Sequence, residues 1–396
     1  MLRNVRNHVD WVGKIDWELR EFHGTDFSVH RGSSQNAYLI REGKTVLIDT
    51  VWAPHAQEFI RGLKDAVDLA KLDFVVVNHG EIDHSGALPE LMRERPDLPI
   101  YCTANAVKSL VGHYHHPEWD YRTVKTGDTL DVGNGKQLVF VEMRMLHWPD
   151  SMAAYLTGDN ILFSNDAFGQ HFAVEELFND LADPCALWEE AMKYYANILS
   201  PFSPLVAKKV EEVVGLNLPI DVIAPSHGVI WRDDPLQIVR KYAEWSREYK
   251  EDQVTIVYDS MWDSTGIIAH EIASRVSALS PKTRVKVFHL AKDDKNDVMT
   301  EVFRSKAFAV GSPTAGNSIL SSVAGWLHFL KELKFRGKKA AVFGSYGWSG
   351  EGNKILRTML EEAGMTVVEP EVRINWKPRA EDLGVADAVA RALAAE

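Results

Sequence analysis

The sequence predicts an α/β protein of two domains, with a layered α/β front half and a doubly wound parallel sheet in the back half. Three observations carry this expectation. At 396 residues the chain is long for one hydrophobic core. Up to about residue 250, β-rich runs paired across turns are followed by helical segments. Beyond that point, five apolar strand cores are separated by helical stretches of roughly 10 to 17 residues, the grammar of a five-stranded parallel sheet.

In the front half, Asn36 to Thr50 holds two β-rich runs around Glu42-Gly43, a hairpin pattern. Glu58 to Leu69 has helical periodicity. Phe74 to Asn78 then reads as a short strand buried on both faces. Asp128 to Val141 and Tyr155 to Phe163 are further strands, turning at Gly133-Asn134-Gly135 and Gly158-Asp159-Asn160. Pro184 to Leu199 and Pro204 to Gly215 are helices opened by proline, the second closed by glycine. The polar stretch Tyr249 to Gln253 reads as a linker between domains of residues 1–250 and 254–396. After it come the strands Val254 to Tyr258, Val285 to Leu290, Ala307 to Val310, Ala340 to Phe343 and Thr366 to Val368.

Composition narrows the partners. Hydrophobic content of 45% and charged content of 25% are those of a globular protein. A formal net charge of -12 without a basic run speaks against a nucleic acid or a membrane surface, and for small molecules and a small redox partner. Met1 to Val12 carries scattered charges and no signal-peptide core, and no apolar run approaches the roughly 18 residues of a membrane span, so the cytoplasm is expected. The two cysteines, Cys102 and Cys185, form no CxxC pair. They read as reduced thiols, and a rubredoxin-type or zinc-ribbon centre has no ligands here.

The chemistry begins at His79-x-Glu81-x-Asp83-His84, directly after the apolar run Phe74-Val75-Val76-Val77. Two imidazoles and two carboxylates desolvated together cost several kcal/mol per unpaired charge, a cost that metal coordination removes. His147, Asp166 and His227 each end another strand-like run. Seven donors exceed the needs of one tetrahedral zinc and suit two five- or six-coordinate metals sharing a carboxylate. His113, His115 and His116, in a polar loop before Pro117, read as solvated.

The His-x-Glu-x-Asp-His pattern followed by His, Asp and His resembles the metallo-β-lactamase fold as used in flavodiiron proteins. The resemblance covers residues 1 to about 250 and implies an N-terminal αββα sandwich. It puts His79, Glu81 and His147 on one iron and Asp83, His84 and His227 on the other, with Asp166 bridging. Glu81 stands where the metallo-β-lactamase signature has a histidine; a hard anionic oxygen offsets charge as iron is oxidised, from which redox-inert zinc gains nothing. Leu146-His147-Trp148-Pro149-Asp150-Ser151 also matches the family, with Trp148 either a wall of the gas pocket or core. Tyr195 and His23 are candidate donors to a bound gas.

In the back half, Ser260-Met261-Trp262-Asp263-Ser264-Thr265-Gly266 opens a helix after the first strand, an arrangement that binds phosphate. Gly311-Ser312-Pro313-Thr314-Ala315-Gly316-Asn317 and Gly344-Ser345-Tyr346-Gly347-Trp348-Ser349-Gly350 follow strands three and four, near the switch point of such sheets. Residues 254–396 resemble a flavodoxin-like module holding FMN. By that resemblance Ser260, Met261, Trp262, Asp263, Ser264 and Thr265 hold the phosphate. Pro313, Thr314 and Asn317 line the ring, with Ser345, Tyr346, Gly347, Trp348, Ser349 and Gly350 beside it. Trp262 and Trp348 are the aromatic faces expected to stack, and Asp263 is expected to point to solvent, away from the phosphate.

Together the resemblance implies a flavodiiron oxidoreductase close to the core of anaerobic nitric oxide reductases and rubredoxin:oxygen oxidoreductases, without a fused rubredoxin domain. It would reduce nitric oxide, dioxygen or both, taking electrons from rubredoxin or another external donor. The assembly it implies is a head-to-tail homodimer or a dimer of dimers. Two alternatives stand beside it: a dinuclear zinc hydrolase fused to a flavodoxin module, and an electron-transfer or gas-sensing protein without turnover.

Overall fold

The computed structural model describes residues 2–215 and 217–395. The chain divides into two compact units, one of Met1–Tyr194 with Pro204–Ala243, the other of Tyr195–Ser203 with Glu244–Glu396.

Among the described residues the first unit holds a seven-stranded and a five-stranded sheet. In spatial order the larger runs Arg3–Arg6, Val9–Trp11, Tyr38–Arg41, Thr45–Ile48, Leu72–Val76, Ile100–Cys102, Tyr121–Thr123. The smaller runs Thr129–Gly133, Lys136–Glu142, Met152–Leu156, Ile161–Asn165, Val222–Pro225. Period-two alternation of side chains decides which face each residue serves. Tyr38, Ile40, Val46, Ile48, Phe74 and Val76 pack inward against Phe140, Ala154, Phe163 and Ala224 of the other sheet. Their neighbours Leu39, Leu47 and Val75 pack outward against Phe59, Ile60 and Leu63 of helix Ala56–Ala66. On the far side, Val141, Ala153, Tyr155 and Leu162 of the smaller sheet line a pocket with Val213 of helix Ser203–Gly215. The result is an αββα sandwich.

In the second unit the parallel sheet has the spatial order Arg284–His289, Glu251–Tyr258, Ser305–Gly311, Lys339–Tyr346, followed by two short strands. Numbered along the chain this is a 2-1-3-4-5 order. The fifth position departs from the single strand expected at Thr366 to Val368. Thr366–Val367 pairs with Lys339 and Ala340, and a separate strand, Val372–Asn375, pairs with Phe343 to Tyr346. Pro370 lies between them and has no N–H to give the ladder. Tyr249 to Gln253 is not a free linker, because the first strand already begins at Glu251.

Helix boundaries differ in one place that matters for the site. The helix expected over Pro184 to Leu199 ends at Tyr194, and Tyr195–Leu199 continues as a wider turn belonging to the second unit. His113 lies in the last turn of helix Ala104–Tyr114, not in a loop, although like His115 and His116 it is exposed.

Phe163 sits between the two sheets, its ring 5.1 Å from that of Tyr38, whose hydroxyl donates to the Pro225 carbonyl at 2.6 Å. Phe163→Ala is expected to lower the stability of the first unit by about 3–5 kcal/mol in urea unfolding. Phe163→Leu is expected to recover more than half of that loss, since most of the volume returns.

Candidate metal centre and flavin cleft

The candidate metal donors lie in loops and turns that follow strands of the sandwich. His147 stands furthest out, among the turns between Lys136–Glu142 and Met152–Leu156, because that strand stops at Glu142 and does not run on to His147. Strand Leu72–Val76 runs into Val77-Asn78-His79, and the single helical turn Ile82–Ser85 carries Asp83 and His84. Buried hydrogen bonds clamp this loop. Asp49 accepts from the Asn78 backbone N–H at 2.7 Å and its side-chain amide at 3.1 Å. The Thr50 N–H and hydroxyl both donate to the His84 carbonyl at 2.8 Å, and Ser85 Oγ donates to the Gly80 and Glu81 carbonyls. Strand Ile161–Asn165 delivers Asp166, and strand Val222–Pro225 delivers His227.

All seven donors converge in two groups. In the first, Glu81 Oε2 lies 3.1 Å from His79 Nε2 and 3.5 Å from His147 Nε2. In the second, Asp83 Oδ2 lies 3.4 Å from His84 Nε2 and 3.1 Å from His227 Nε2. Asp166 belongs to both. Its Oδ2 is 3.8 Å from His79 Nε2 and 3.6 Å from His147 Nε2, while its Oδ1 is 3.2 Å from His84 Nε2 and 3.5 Å from His227 Nε2. Metal–donor bonds of about 2.0–2.2 Å place neighbouring donors about 3.0 Å apart around an octahedral ion and about 3.4 Å around a tetrahedral one. The observed spacings are those of donors facing a common ion. Both Asp83 oxygens, Asp166 Oδ2 and His84 Nε2 are buried without a hydrogen-bond partner, so the residues present fit a pair of metal ions. His84 Nε2 points inward with the others.

The electrostatics agree. Burial alone would push His227 down, yet Asp166 and Asp83 outweigh it and hold its pKa at about 10. Burial likewise opposes the charged forms of His79 and His84, but the facing carboxylates raise both. Asp166 is driven well below the ordinary carboxylate range by the imidazoles of His84 and His227 despite its burial. Without metal, then, protons on His79, His84 and His227 screen the carboxylates from one another, while burial keeps His147 below the ordinary imidazole range. Ions entering the cage take the place of those protons.

A further layer orients the donors. Asp150, wholly buried, accepts from His79 Nδ1–H at 2.9 Å and from the Gly80 N–H at 3.1 Å. His227 Nδ1–H donates to the Ser34 carbonyl at 2.8 Å, leaving Nε2 for the cage. The Tyr194 hydroxyl donates to Asp166 Oδ1 at 3.1 Å. His23 lies beside the site as the sequence suggested, its Nε2 2.6 Å from the second oxygen of Glu81. Tyr195 does not reach the cage. Its hydroxyl meets Ser203 Oγ at 3.0 Å and its ring packs against Trp245 and Phe303, because the helix ends at Tyr194 and the next residue turns the other way. Trp148 is half-buried, edge-on to the His79 ring at 5.1 Å, with the exposed His113 stacked on it. His171 was not singled out from sequence. It is buried, with Nδ1 3.0 Å from Ser33 Oγ and its ring 5.2 Å from that of His227. Burial and the neighbouring His227 keep it neutral. Asp150, Ser34 and Tyr194 carry no sequence signal of their own, since their partners are remote in sequence.

In the second unit a cleft of about 530 Å³ opens at the carboxyl edge of the sheet. Of the expected flavin residues, Ser260, Met261, Trp262, Ser264, Pro313, Thr314, Asn317, Ser345, Tyr346, Gly347, Trp348 and Ser349 line it. Asp263, Thr265 and Gly350 are not among its walls. Asp263 is exposed, Thr265 is fully buried with its hydroxyl 2.9 Å from Ser345 Oγ, and Gly350 lies against Arg373. Trp376 and Lys377 line the cleft although the sequence reading passed over them. They follow strand Val372–Asn375, the strand it had not separated. A Cβ at Gly347 would stand 2.9 Å from the Trp376 ring, so a larger residue there would push that indole from its present place in the wall. Helix Ser264–Leu279 has no side-chain cap, which leaves its first-turn amides for an anion. Hydroxyls, bare amides and exposed indole faces fit a phosphorylated aromatic cofactor.

Comparison with known proteins places both units. Residues 33–228 match the ODP family beta lactamase, and residues 256–386 match the flavodoxin family. The anaerobic nitric oxide reductase flavorubredoxin of Klebsiella pneumoniae subsp. pneumoniae is 54% identical over 374 residues, 94% of this chain and 77% of the relative. Among solved structures, the rubredoxin oxygen:oxidoreductase of Desulfovibrio gigas aligns with a TM-score of 0.96 at 36% identity, covering 100% of this chain and 98% of that one. The flavodiiron protein of Giardia intestinalis aligns with a TM-score of 0.94 at 30% identity, covering 100% and 96%.

Asp150→Asn keeps the shape but weakens the acceptor that fixes the His79 ring. Metal affinity, read by competition with a chelator, is expected to fall about 10–100-fold while the fold is retained. An unchanged affinity would show that His79 is oriented without Asp150.

Proposed function

Because the chain belongs to the flavodiiron proteins, we propose that it reduces nitric oxide to nitrous oxide, dioxygen to water, or both, at a diiron centre supplied with electrons through FMN. The observation that carries the reading is Asp166, whose two oxygens face two separate donor groups. In this reading His79, Glu81 and His147 hold one iron, Asp83, His84 and His227 the other, and Asp166 both. The cage belongs to a domain of residues 1–250 and the flavin to one of 254–396. When bound, two irons supply a redox-active Lewis-acid pair for a diatomic gas, and FMN a store of two electrons.

The chain's own residues prepare that chemistry. Glu81, Asp83 and Asp166 are hard anionic donors that favour the oxidised metals and so ease electron release. Asp150 and the Ser34 carbonyl hold the Nδ1 protons of His79 and His227, which keeps both Nε2 lone pairs directed inward. His23 restrains the Glu81 oxygen turned away from His79. Trp148, against His79, excludes water from one side.

Four electrons and four protons convert dioxygen to two waters; two of each convert two nitric oxides to nitrous oxide and water. Residues 1–396 contain no cysteine pair able to hold a rubredoxin iron, so electrons enter from a centre outside them, with rubredoxin the proposed donor. A head-to-tail homodimer, alone or paired, is proposed to bring the flavin of one copy to the irons of another. A cytoplasmic setting is supported by two free thiols, buried Cys102 and exposed Cys185.

The hydrolase alternative gains no support, since the relatives are named as a reductase and an oxidoreductase and Glu81 replaces an imidazole. The deciding experiment is anaerobic stopped-flow of the FMN- and iron-loaded, fully reduced chain against each gas separately. Rapid reoxidation by at least one gas is expected, with continuous consumption when reduced rubredoxin is present. Zinc-substituted protein is expected to lose at least about a hundredfold in rate. Indifference of the reduced iron protein to both gases would sink the proposal, as would full activity with zinc.

A further inference from the structure

Asp259 is an acid in the wrong place for an anion site. It directly follows strand Glu251–Tyr258 and precedes Ser260, the first residue of the loop expected to receive a phosphate. A carboxylate there repels a phosphate and, being only 7% exposed, loses most of its hydration. It persists because donors from three segments converge on it. Oδ1 accepts from the Ser260 backbone N–H at 2.7 Å and from His289 Nε2–H at 2.9 Å. Oδ2 accepts from the Ser322 hydroxyl. These donors outweigh burial and keep the carboxyl below its ordinary pKa.

The partners define what the contact does. His289 ends the neighbouring strand Arg284–His289 and stacks face to face on Tyr258, with ring centroids 4.9 Å apart. Ser322 is the second residue of helix Ser321–Leu333, which follows the loop carrying Pro313, Thr314 and Asn317. Asp259 also donates its own N–H to the Gly311 carbonyl at 3.2 Å. One carboxylate thus ties the phosphate loop, the end of the second strand and the segment after the ring-lining loop into one frame. Asp259 is not among the cleft walls.

We propose that Asp259 is a positioning residue that presets the phosphate loop Ser260–Thr265 for FMN by clamping it to His289 and Ser322. The inference rests on the flavin reading above and adds a role for a residue outside the cleft. Its energy is spent on geometry before the ligand arrives, which lowers the ordering cost of binding. Because the clamp acts at the phosphate end, it distinguishes FMN from riboflavin, which has the same ring and no phosphate.

The test uses the full chain stripped of flavin and titrated with FMN and with riboflavin, read by quenching of flavin fluorescence. Asp259→Ala is expected to raise the FMN Kd about tenfold or more, through loss of charge-assisted hydrogen bonds, and to change the riboflavin Kd less than about twofold. Ser322→Ala is expected to fall between wild type and Asp259→Ala. Equal weakening of both flavins would mean a general loosening of the cleft and overturn the proposal, as would wild-type FMN affinity in Asp259→Ala. Should Asp259→Ala fail to fold, Ser322→Ala and His289→Phe, the latter keeping a ring against Tyr258, each remove a single donor and carry the same comparison. A wild-type chain that shows no preference for FMN over riboflavin would instead overturn the flavin reading itself.

Discussion

The front half of this protein depends on one electrostatic constraint: three carboxylates and four imidazoles buried within a few ångströms of one another, with Asp166 at their centre. Buried this close together, the carboxylates repel one another, and both Asp83 oxygens and Asp166 Oδ2 have no hydrogen-bond partner in the protein. Protons on His79, His84 and His227 relieve part of this. A pair of cations relieves it more fully, and the two oxygens of Asp166 already face the two places where they would sit. The cage is therefore a scaffold built around charge that it does not itself contain.

Such a cage needs walls that do not yield. The donors stand in loops and turns that follow strands whose inner faces interlock as a close-packed core, so small shifts are resisted by packing. Between core and donors lies a layer of hydrogen-bonding residues, among them Asp49, Thr50, Asp150 and Ser34. They satisfy backbone groups of the loops and fix the tautomer of the rings above. His171 extends this layer as a neutral buried imidazole beside His227.

The flavin cleft solves a different problem with similar means. It must stay open and polar while remaining one shape. Its walls are bare backbone, hydroxyls and exposed indoles, and its rigidity comes from contacts behind them. Thr265 bonds Ser345, the Thr314 N–H bonds the Ser345 carbonyl at 2.8 Å, and Asp259 joins three segments. Residues that the sequence suggests as ligands, Thr265 above all, thus serve the frame. Trp376, on no motif, faces the ligand space.

Periodicity and motif spacing were enough to read the α/β class, to pick out seven candidate donors that the fold brings together, and to find three loops whose residues line one cleft. Those signals are local: a strand's alternation, a ligand at its end, a serine-rich turn before a helix. What sequence left undecided was every relation between remote segments. The neighbours Tyr194 and Tyr195 differ only in where a helix stops, yet one touches Asp166 and the other is buried in a different unit. The split of the fifth strand around Pro370, which brings Trp376 to the cleft, depends on pairing with Lys339–Tyr346. Residue order alone determined which chemical groups the chain carries and which strand ends present them. Only tertiary packing decided which of those groups share a desolvated space, because burial and charge proximity are properties of the assembled fold and not of any one segment.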